Sequence, residues 1–483
     1  VVGGVVYIGS KDGEFYAFSE ATKKVIWSDF MGTSCVYQGF TSTATVTTDP
    51  TTGKLTVYVD APDGYLYALD AATGATVWKG FVDNPNSPTT CSYYAWGSPL
   101  VANGMAYIGI SSDARALITG GGLVAFNQST GATVATWYSL PAGEYGGSVW
   151  SSAVLASNGS IITTTSNGAN VDGSEPIYSQ SIVDLNPNTL ALESGWQVPK
   201  AQQVGDGDFG ASPTVFTATM DGTSTPMVGE CNKNGIYYAY RQDDLAAGPV
   251  WQHRVTVRYP GSSLECDSAA IWNGTDLIEG GGAPSSKSEP ADSGSIVALN
   301  PNTGSPVWVT HLNGTIVGSP TEDGGGVVAA QTWQTDNSQP GVYLLNAATG
   351  AIIGQIVTPE DNLFGQAVFA NNSLLVGAGP AVGLTAYQIT NPGSPISIVS
   401  PSTVPAGATT KVTLTGNGFS GSPTVFISGF HVYPKSVKVV SPTKLTFSAT
   451  VMTKAAAGTY NVSVIEPGNP PINDSCTSCI TIG

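Results

Sequence analysis

DGYLYALDAATGATVWKG, residues 63–80, alternates polar and apolar side chains, breaks at A-T-G, alternates again and ends on Trp78. Period-2 alternation puts successive side chains on opposite faces of a strand, so the stretch predicts two strands and a turn. The turn carries its own chemistry. Asp70 supplies a side-chain acceptor for nearby amides, and Gly74 is free to take positive φ.

The same pattern recurs along the chain. It reads GEFYAFSEATKKVIW at 13–27, GGLVAFNQSTGATVATW at 121–137 and SIVDLNPNTLALESGW at 181–196. It continues as GIYYAYRQDDLAAGPVW at 235–251 and GSIVALNPNTGSPVW at 294–308. A seventh copy, GVYLLNAATGAIIG at 341–354, lacks the Trp, and an eighth, LTAYQI at 384–389, stops before the turn. A second shared piece precedes most copies, for example GSPLVANGMAYIG and QAVFANNSLLVGAG. Each unit therefore holds four alternating segments. A period of roughly 45–60 residues is what a four-stranded propeller blade requires. Six copies close on a tryptophan, Trp27, Trp78, Trp137, Trp196, Trp251 and Trp308. Each is expected to wedge between adjacent blades, burying roughly 200 Å2 of ring.

Composition agrees. Of 483 residues 59 are glycine and 11% are charged, which suits short strands and tight turns more than helices. A net charge of −17 with no basic cluster excludes nucleic acid as a partner. No apolar run reaches the roughly 18–20 residues of a membrane-spanning helix. The opening VVGGVVYIGS reads as the interior of a repeat, so further residues are expected upstream, with a strand that completes a terminal blade and with any secretion signal.

Six cysteines stand at 35, 91, 231, 266, 476 and 479. Cys35 and Cys91 follow the Trp of successive repeats, Cys231 and Cys266 lie in consecutive repeats, and Cys476 and Cys479 form CTSC. The expected pairing is Cys35–Cys91, Cys231–Cys266 and Cys476–Cys479, in an extracellular or cell-surface protein. The alternative is six buried thiols. Sequons such as NGS at 158 and NGT at 273 are compatible with a secreted glycoprotein.

The repeat A-x-D-x-x-T-G-x-x-x-W resembles the tryptophan-docking repeat of the pyrroloquinoline quinone (PQQ)-like propellers. That resemblance implies an all-β fold, an eight-bladed β-propeller of four-stranded blades over residues 1–390. Beyond a linker at 391–395 the pattern vanishes. Residues 396–483 carry VTLTGNGF, VSPTKLTF and AGTYNVSV, in an order that resembles the IPT/TIG family, an Ig-like β-sandwich.

The propeller resemblance also implies site residues. CNKNGIYYAY is similar to the dehydrogenases' K/R-N-G segment, whose cation touches the quinone, pointing to Lys233. TTSNGAN resembles the T-G-N whose Asn coordinates calcium, pointing to Asn167 as cofactor and metal ligand. GDGDFG is similar to the acidic stretch one blade earlier, placing Asp206 near the cofactor and Asp208 as the candidate catalytic base. GGSVWSSAV matches the aromatic-bearing inner strand, with Trp150 in it. There are departures. No two cysteines are adjacent, so the disulfide ring over the quinone is missing. GISSDARALITGG offers Asp113 and Arg115 but no Glu where a calcium ligand is expected, and CTSC lacks the following His of a haem attachment site. K-N-G and D-G-D-F-G are also good turn sequences in their own right.

Only three histidines occur, far apart in sequence, and no G-x-S-x-G elbow is present, so zinc and serine-hydrolase chemistries are not expected. The leading expectation is a non-catalytic secreted or surface module for binding or assembly. Its partners would be a protein or carbohydrate at the propeller face, or its own copies through terminal strands or the Ig-like domain. The alternative is a PQQ- and Ca2+-dependent dehydrogenase acting on an alcohol, polymeric alcohols included.

Overall fold

The computed structural model describes residues 1–33, 39–82, 96–111, 120–141, 144–169, 176–256, 266–283, 293–333, 341–358, 365–371, 373–377, 383–388, 396, 398–416, 419, 421–428, 431–466 and 472–483. The chain divides into two compact units, Val1–Thr275 with Asn300–Ser305, and Asp276–Leu299 with Pro306–Gly483.

In the first unit each copy of the repeat folds as an antiparallel meander. Strands Thr45–Thr48, Leu55–Asp60, Tyr65–Asp70 and Thr76–Phe81 pair in chain order, with Tyr58 opposite Ala68 and Ala68 opposite Trp78. The sheets Leu100–Tyr138, Val154–Gln197 and Thr214–Arg254 repeat this order. The first sheet, Val5–Gly9, Glu14–Ser19 and Val25–Phe30, has three strands. Middle strands are buried on both faces, as Leu66, Ala68 and Leu69 show, because sheets stack on either side. Outer strands expose residues such as Val25 and Val77. A register shift recurs one residue before the turn Ser, Asp or Asn in six copies, at Phe18, Leu69, Phe126, Leu185, Leu299 and Leu345.

That turn is where one repeat grips the next. The Oδ1 atom of Asp70 accepts from the backbone N–H groups of Ala72 and Thr73 and from the Thr73 hydroxyl. Asn127 and Asn346 do the same in their copies. The carbonyl one residue later is thereby aimed at the Trp of the preceding repeat. The indole N–H of Trp27 donates to the Ala71 carbonyl (3.0 Å) and that of Trp78 to Gln128 (2.9 Å). Trp251 donates to Pro301 (2.9 Å) and, in the second unit, Trp308 to Ala347 (3.0 Å). Each ring lies flat against the bare Cα of the turn glycine. A Cβ at Gly74 would stand 2.7 Å from the Trp27 ring, and one at Gly131 2.6 Å from Trp78. Glycine is required here twice over, by positive φ and by the ring. The fourth copy reads NPNTL, and Leu190 takes the glycine's place at φ 52, buried in the same cluster as Trp137. Trp196 packs on Tyr238 and Tyr240 with its Nε1 edge toward Gly248.

The second unit continues with strands Leu277–Gly282, Gly294–Leu299 and Pro306–Leu312, and then Val327–Trp333, Gly341–Asn346 and Ile352–Val357. Val368–Ala370, Ser373–Gly377 and Leu384–Gln388 form a three-stranded sheet. Two four-stranded sheets follow. One orders Ile398–Ser400, Thr409–Thr415, Lys444–Val451 and Val432–Ser441. The other orders Thr403–Val404, Ile472–Ile482, Gly458–Glu466 and Thr424–Ile427, with its first pair parallel. Val412, Leu414, Phe447, Val462 and Val464 fill the space between them.

Two of the expected cysteine pairs can be placed. Cys231 and Cys266 are joined, with Cα atoms 5.5 Å apart. Cys35–Cys91 lies outside the described residues. The expected Cys476–Cys479 bond is corrected, since both are free thiols. CTSC sits in a bulge of strand Ile472–Ile482, with Ser478 at φ 52, and the bulge brings the Cys479 thiol onto the Cys476 carbonyl. Burial first, then the hydrogen bond with Cys476, pushes the Cys479 thiol up to about 12.

Two outcomes are expected. Gly53 and Gly131 share a positive φ (68° and 71°), but only open space surrounds a Cβ at Gly53. Gly53→Ala should therefore cost about 1 kcal/mol and Gly131→Ala at least about 2 kcal/mol more, read as urea midpoints. In non-reducing peptide maps Cys231 and Cys266 should run as one linked pair while Cys476 and Cys479 alkylate. Cys479 should lag in the native protein, because burial raises its thiol and leaves little thiolate at pH 8.

Candidate functional site

The site lies in the first unit, where the hairpin turn Asn232–Gly235 meets the loop Gly205–Gly210. Asn232 and Asn234 cap the turn internally, through Asn234 N–H to Asn232 Oδ1 (2.9 Å) and Ile236 N–H to Asn234 Oδ1 (3.0 Å). Gly235, at φ 81, closes it. The turn is then laced to the loop. The Lys233 N–H donates to the Asp208 carbonyl (2.9 Å), and the Asn232 side chain donates to the Gly207 carbonyl (2.6 Å).

This lacing buries a charge. The Lys233 side chain is 7% exposed, and its Nζ lies 2.8 Å from Asp208 Oδ2 and 3.4 Å from Asp206 Oδ1. It sits 5.1 Å above the centre of the Trp150 ring, a cation–π arrangement. Trp150 is braced edge-on by Trp96 at 4.7 Å. Burial pulls the ammonium pKa down, but the charges of Asp267, Asp208 and Asp206 outweigh it and hold Lys233 well above the usual lysine value. Asp208 is fixed from its other side, where Oδ1 accepts the Asn167 backbone N–H (2.8 Å). The Asn167 side chain donates weakly to the Gly205 carbonyl (3.5 Å).

The structure thus draws Trp150, Asn167, Asp206, Asp208 and Lys233 into one chain of contacts. It adds residues that the sequence did not single out. Asp267 is buried and acts on Lys233 through its charge. The disulfide ties Cys231, two residues before Lys233, to Cys266, next to Asp267, so it pins the two charged segments together. Gly210 is bare because a Cβ would collide with Asp267 and stand 2.6 Å from the Trp150 ring. Gln180 is fully buried at φ 44, packs under Gly207 and donates to the Val204 carbonyl (3.4 Å), supporting the loop from below. No local sequence pattern singled out Asp267. Asp113 and Arg115 lie outside the described residues.

The family model described as outer membrane protein assembly factor BamB, a PQQ-repeat model, matches residues 1–180 and 267–391. The chain belongs to this PQQ-like repeat family. The IPT/TIG domain model matches residues 395–481. The charged loop and turn fall in the span between the two propeller matches. The chain is 26% identical over 366 residues to a polyvinylalcohol dehydrogenase of Pseudomonas sp, covering 64% of this chain and 52% of the relative. It is 25% identical over 264 residues to the quinohemoprotein alcohol dehydrogenase ADH IIB of Pseudomonas putida, covering 45% of this chain and 37% of the relative. The chain thus spans about half or less of the length of these curated relatives. Among solved structures it resembles a europium-containing methanol dehydrogenase (TM-score 0.62, 16% identity, 78% of this chain and 81% of that one). It also resembles the quinohemoprotein alcohol dehydrogenase of Comamonas testosteroni (TM-score 0.61, 16% identity, 94% and 74%). The fold class is all-β, an eight-bladed β-propeller followed by an Ig-like β-sandwich.

PQQ and calcium, which the family resemblance implies, can be tested against this geometry. One ammonium faces three carboxylates, so the cluster carries surplus negative charge that would repel a tricarboxylate quinone on its own. The Asp206 carboxylate, half-exposed, and the Asn167 amide are hard oxygen donors of the kind calcium takes. Trp150 presents a flat ring, and bare Gly210 leaves its edge uncrowded. The residues fit a quinone that enters together with a divalent cation.

Lys233→Met should destabilise the protein by about 3–5 kcal/mol, because it leaves Asp208 buried without its partner. Asp206→Asn, at a half-exposed position, should cost no more than about 1 kcal/mol. Thermal unfolding of both variants checks the contrast.

Proposed function

We propose that the chain is a quinone-dependent alcohol dehydrogenase of the PQQ-like type, working outside the cytoplasm. The observation that supports it is the convergence of Trp150, Asn167, Asp206, Asp208 and Lys233, drawn from separate segments, in one buried cluster. The alcohol dehydrogenases among its relatives support the same reading. Bound PQQ would supply the two-electron oxidant. Lys233 would donate to the quinone oxygens and Trp150 would support the ring. Asn167 and Asp206 would hold the cation. Asp208, fixed by Lys233 and by the Asn167 N–H, would take the proton of a substrate hydroxyl at a carboxylate oxygen. We further propose that the propeller spans 1–390 and the sandwich 396–483, joined at 391–395. Among the described residues no helix is long and apolar enough to cross a membrane, and the Cys231–Cys266 bond suits an oxidising compartment.

A second reading is a binding or assembly module that lacks catalysis. It is favoured by the enclosure of Lys233, whose carboxylate partners neutralise it without any ligand. Its partner would be a protein, a carbohydrate or another copy of the chain.

The purified chain, mixed with PQQ and Ca2+, separates the two readings. The dehydrogenase reading expects quenching of tryptophan fluorescence that needs both components, and dye-linked oxidation of ethanol or polyvinyl alcohol. Asp208→Asn should abolish turnover and keep the quenching. Absence of both quenching and turnover would leave the binding module as the reading.

A further inference from the structure

We propose that a groove in the second unit, remote in sequence from the Lys233 cluster, binds a small anionic molecule through a carboxylate or phosphate group. The groove has a volume of about 440 Å3, within the roughly 300–1,000 Å3 of small-molecule sites. It lies where strand Pro306–Leu312 and the Gly350 turn face the sandwich.

Its lining runs against the composition of the chain. The protein has twice as many carboxylates as Lys and Arg together, 34 against 17, and three histidines. Yet among the described residues the groove is lined by His311, His431 and Lys454, and by no Asp or Glu. Two of the three histidines thus meet a lysine on one concave surface, a local positive potential in a strongly acidic protein.

The backbone holds these groups in place. His431 sits in the left-handed region at φ 66, a conformation that backbone sterics disfavour. Its carbonyl accepts the Met452 N–H (3.0 Å), and Ala455 N–H closes back on the Met452 carbonyl (3.0 Å), which shapes the turn that presents Lys454. The Ser428 hydroxyl accepts the Asn461 N–H (2.8 Å) and so keeps its own proton to donate. On the facing wall the Thr310 hydroxyl donates to the Gly350 carbonyl (2.6 Å), and Trp308 packs on Gly350. The repeat's docking contact therefore braces one side of the groove. An ammonium, imidazoles and a hydroxyl converging on a concave surface form a donor set for an oxyanion, with room left for the body that carries it.

The test uses the whole chain with 15N-labelled histidine. His253, in strand Trp251–Arg254 of the first unit, is a built-in control. Glucose 6-phosphate and glucuronate are titrated separately at about pH 6, with glucose as the neutral probe. Saturable shifts of the His311 and His431 imidazoles with at least one anion, with His253 still, are expected. Whichever anion binds more tightly assigns the group as phosphate or carboxylate. The substitutions Lys454→Met and His311→Gln should each weaken binding at least fivefold and leave the His253 signal unchanged. No saturable shift with either anion, an equal response to glucose, or unchanged affinity in both variants would overturn the proposal.

Discussion

An indole ring lying on a bare glycine is the contact on which the rest of the structure depends. A four-stranded sheet with both faces apolar cannot stand alone in water, so each repeat must be seated on the next. The tryptophan seats it in two ways that differ in strength. Burying its ring is worth several times the net hydrogen bond of about 1 kcal/mol that its N–H makes with the facing carbonyl. Apolar burial has no direction. The weaker hydrogen bond selects a single seat, the carbonyl just after the turn Asp or Asn. The capping acid aims that carbonyl, the glycine clears the surface beneath the ring, and the tryptophan reads both. Each part of the sequence motif has a partner in the neighbouring copy.

The same logic explains where the pattern lapses. The seventh copy has Gly354 at the tryptophan's offset, and the eighth copy ends before it forms a turn. A docking ring with no seat would be an exposed aromatic, so its loss costs nothing. In the fourth copy the glycine is Leu190, which accepts a left-handed backbone and fills the space against Trp137 with its own side chain. Strain of about 1 kcal/mol is offset there by apolar burial.

Much of this was legible before any coordinates. Turn spacing, alternation and the closing tryptophan named the sheets and their order, because these are local features repeated many times. Asn167, Asp206, Asp208, Lys233 and Trp150 were legible for a different reason, as short stretches that depart from the repeat while keeping a family pattern. Asp267 was not legible. Its role depends on burial and on distance to an ammonium 34 positions earlier in the chain, quantities that no local pattern encodes. The CTSC segment misled because its spacing suits a turn, whereas the strand around it is set by pairing with Gly458–Glu466. Cross-strand register overrode local spacing.

Electrostatics in so acidic a protein takes two opposite forms. At Lys233 the cation is buried and surrounded, so its charge serves to hold a loop, a hairpin turn and a disulfide-linked segment together. Burial alone would tend to discharge the lysine, but three carboxylates close by reverse the sign. The surplus those carboxylates leave favours further positive charge at the cluster. In the groove beside the sandwich the balance is inverted, with a lysine and two histidines on a concave surface and no acid among the described lining residues. A chain with a net charge of −17 repels anions at long range, so such a groove gains little from steering and must rely on short-range donors held in register. That demand accounts for the tied backbone at His431 and at the turn that carries Lys454.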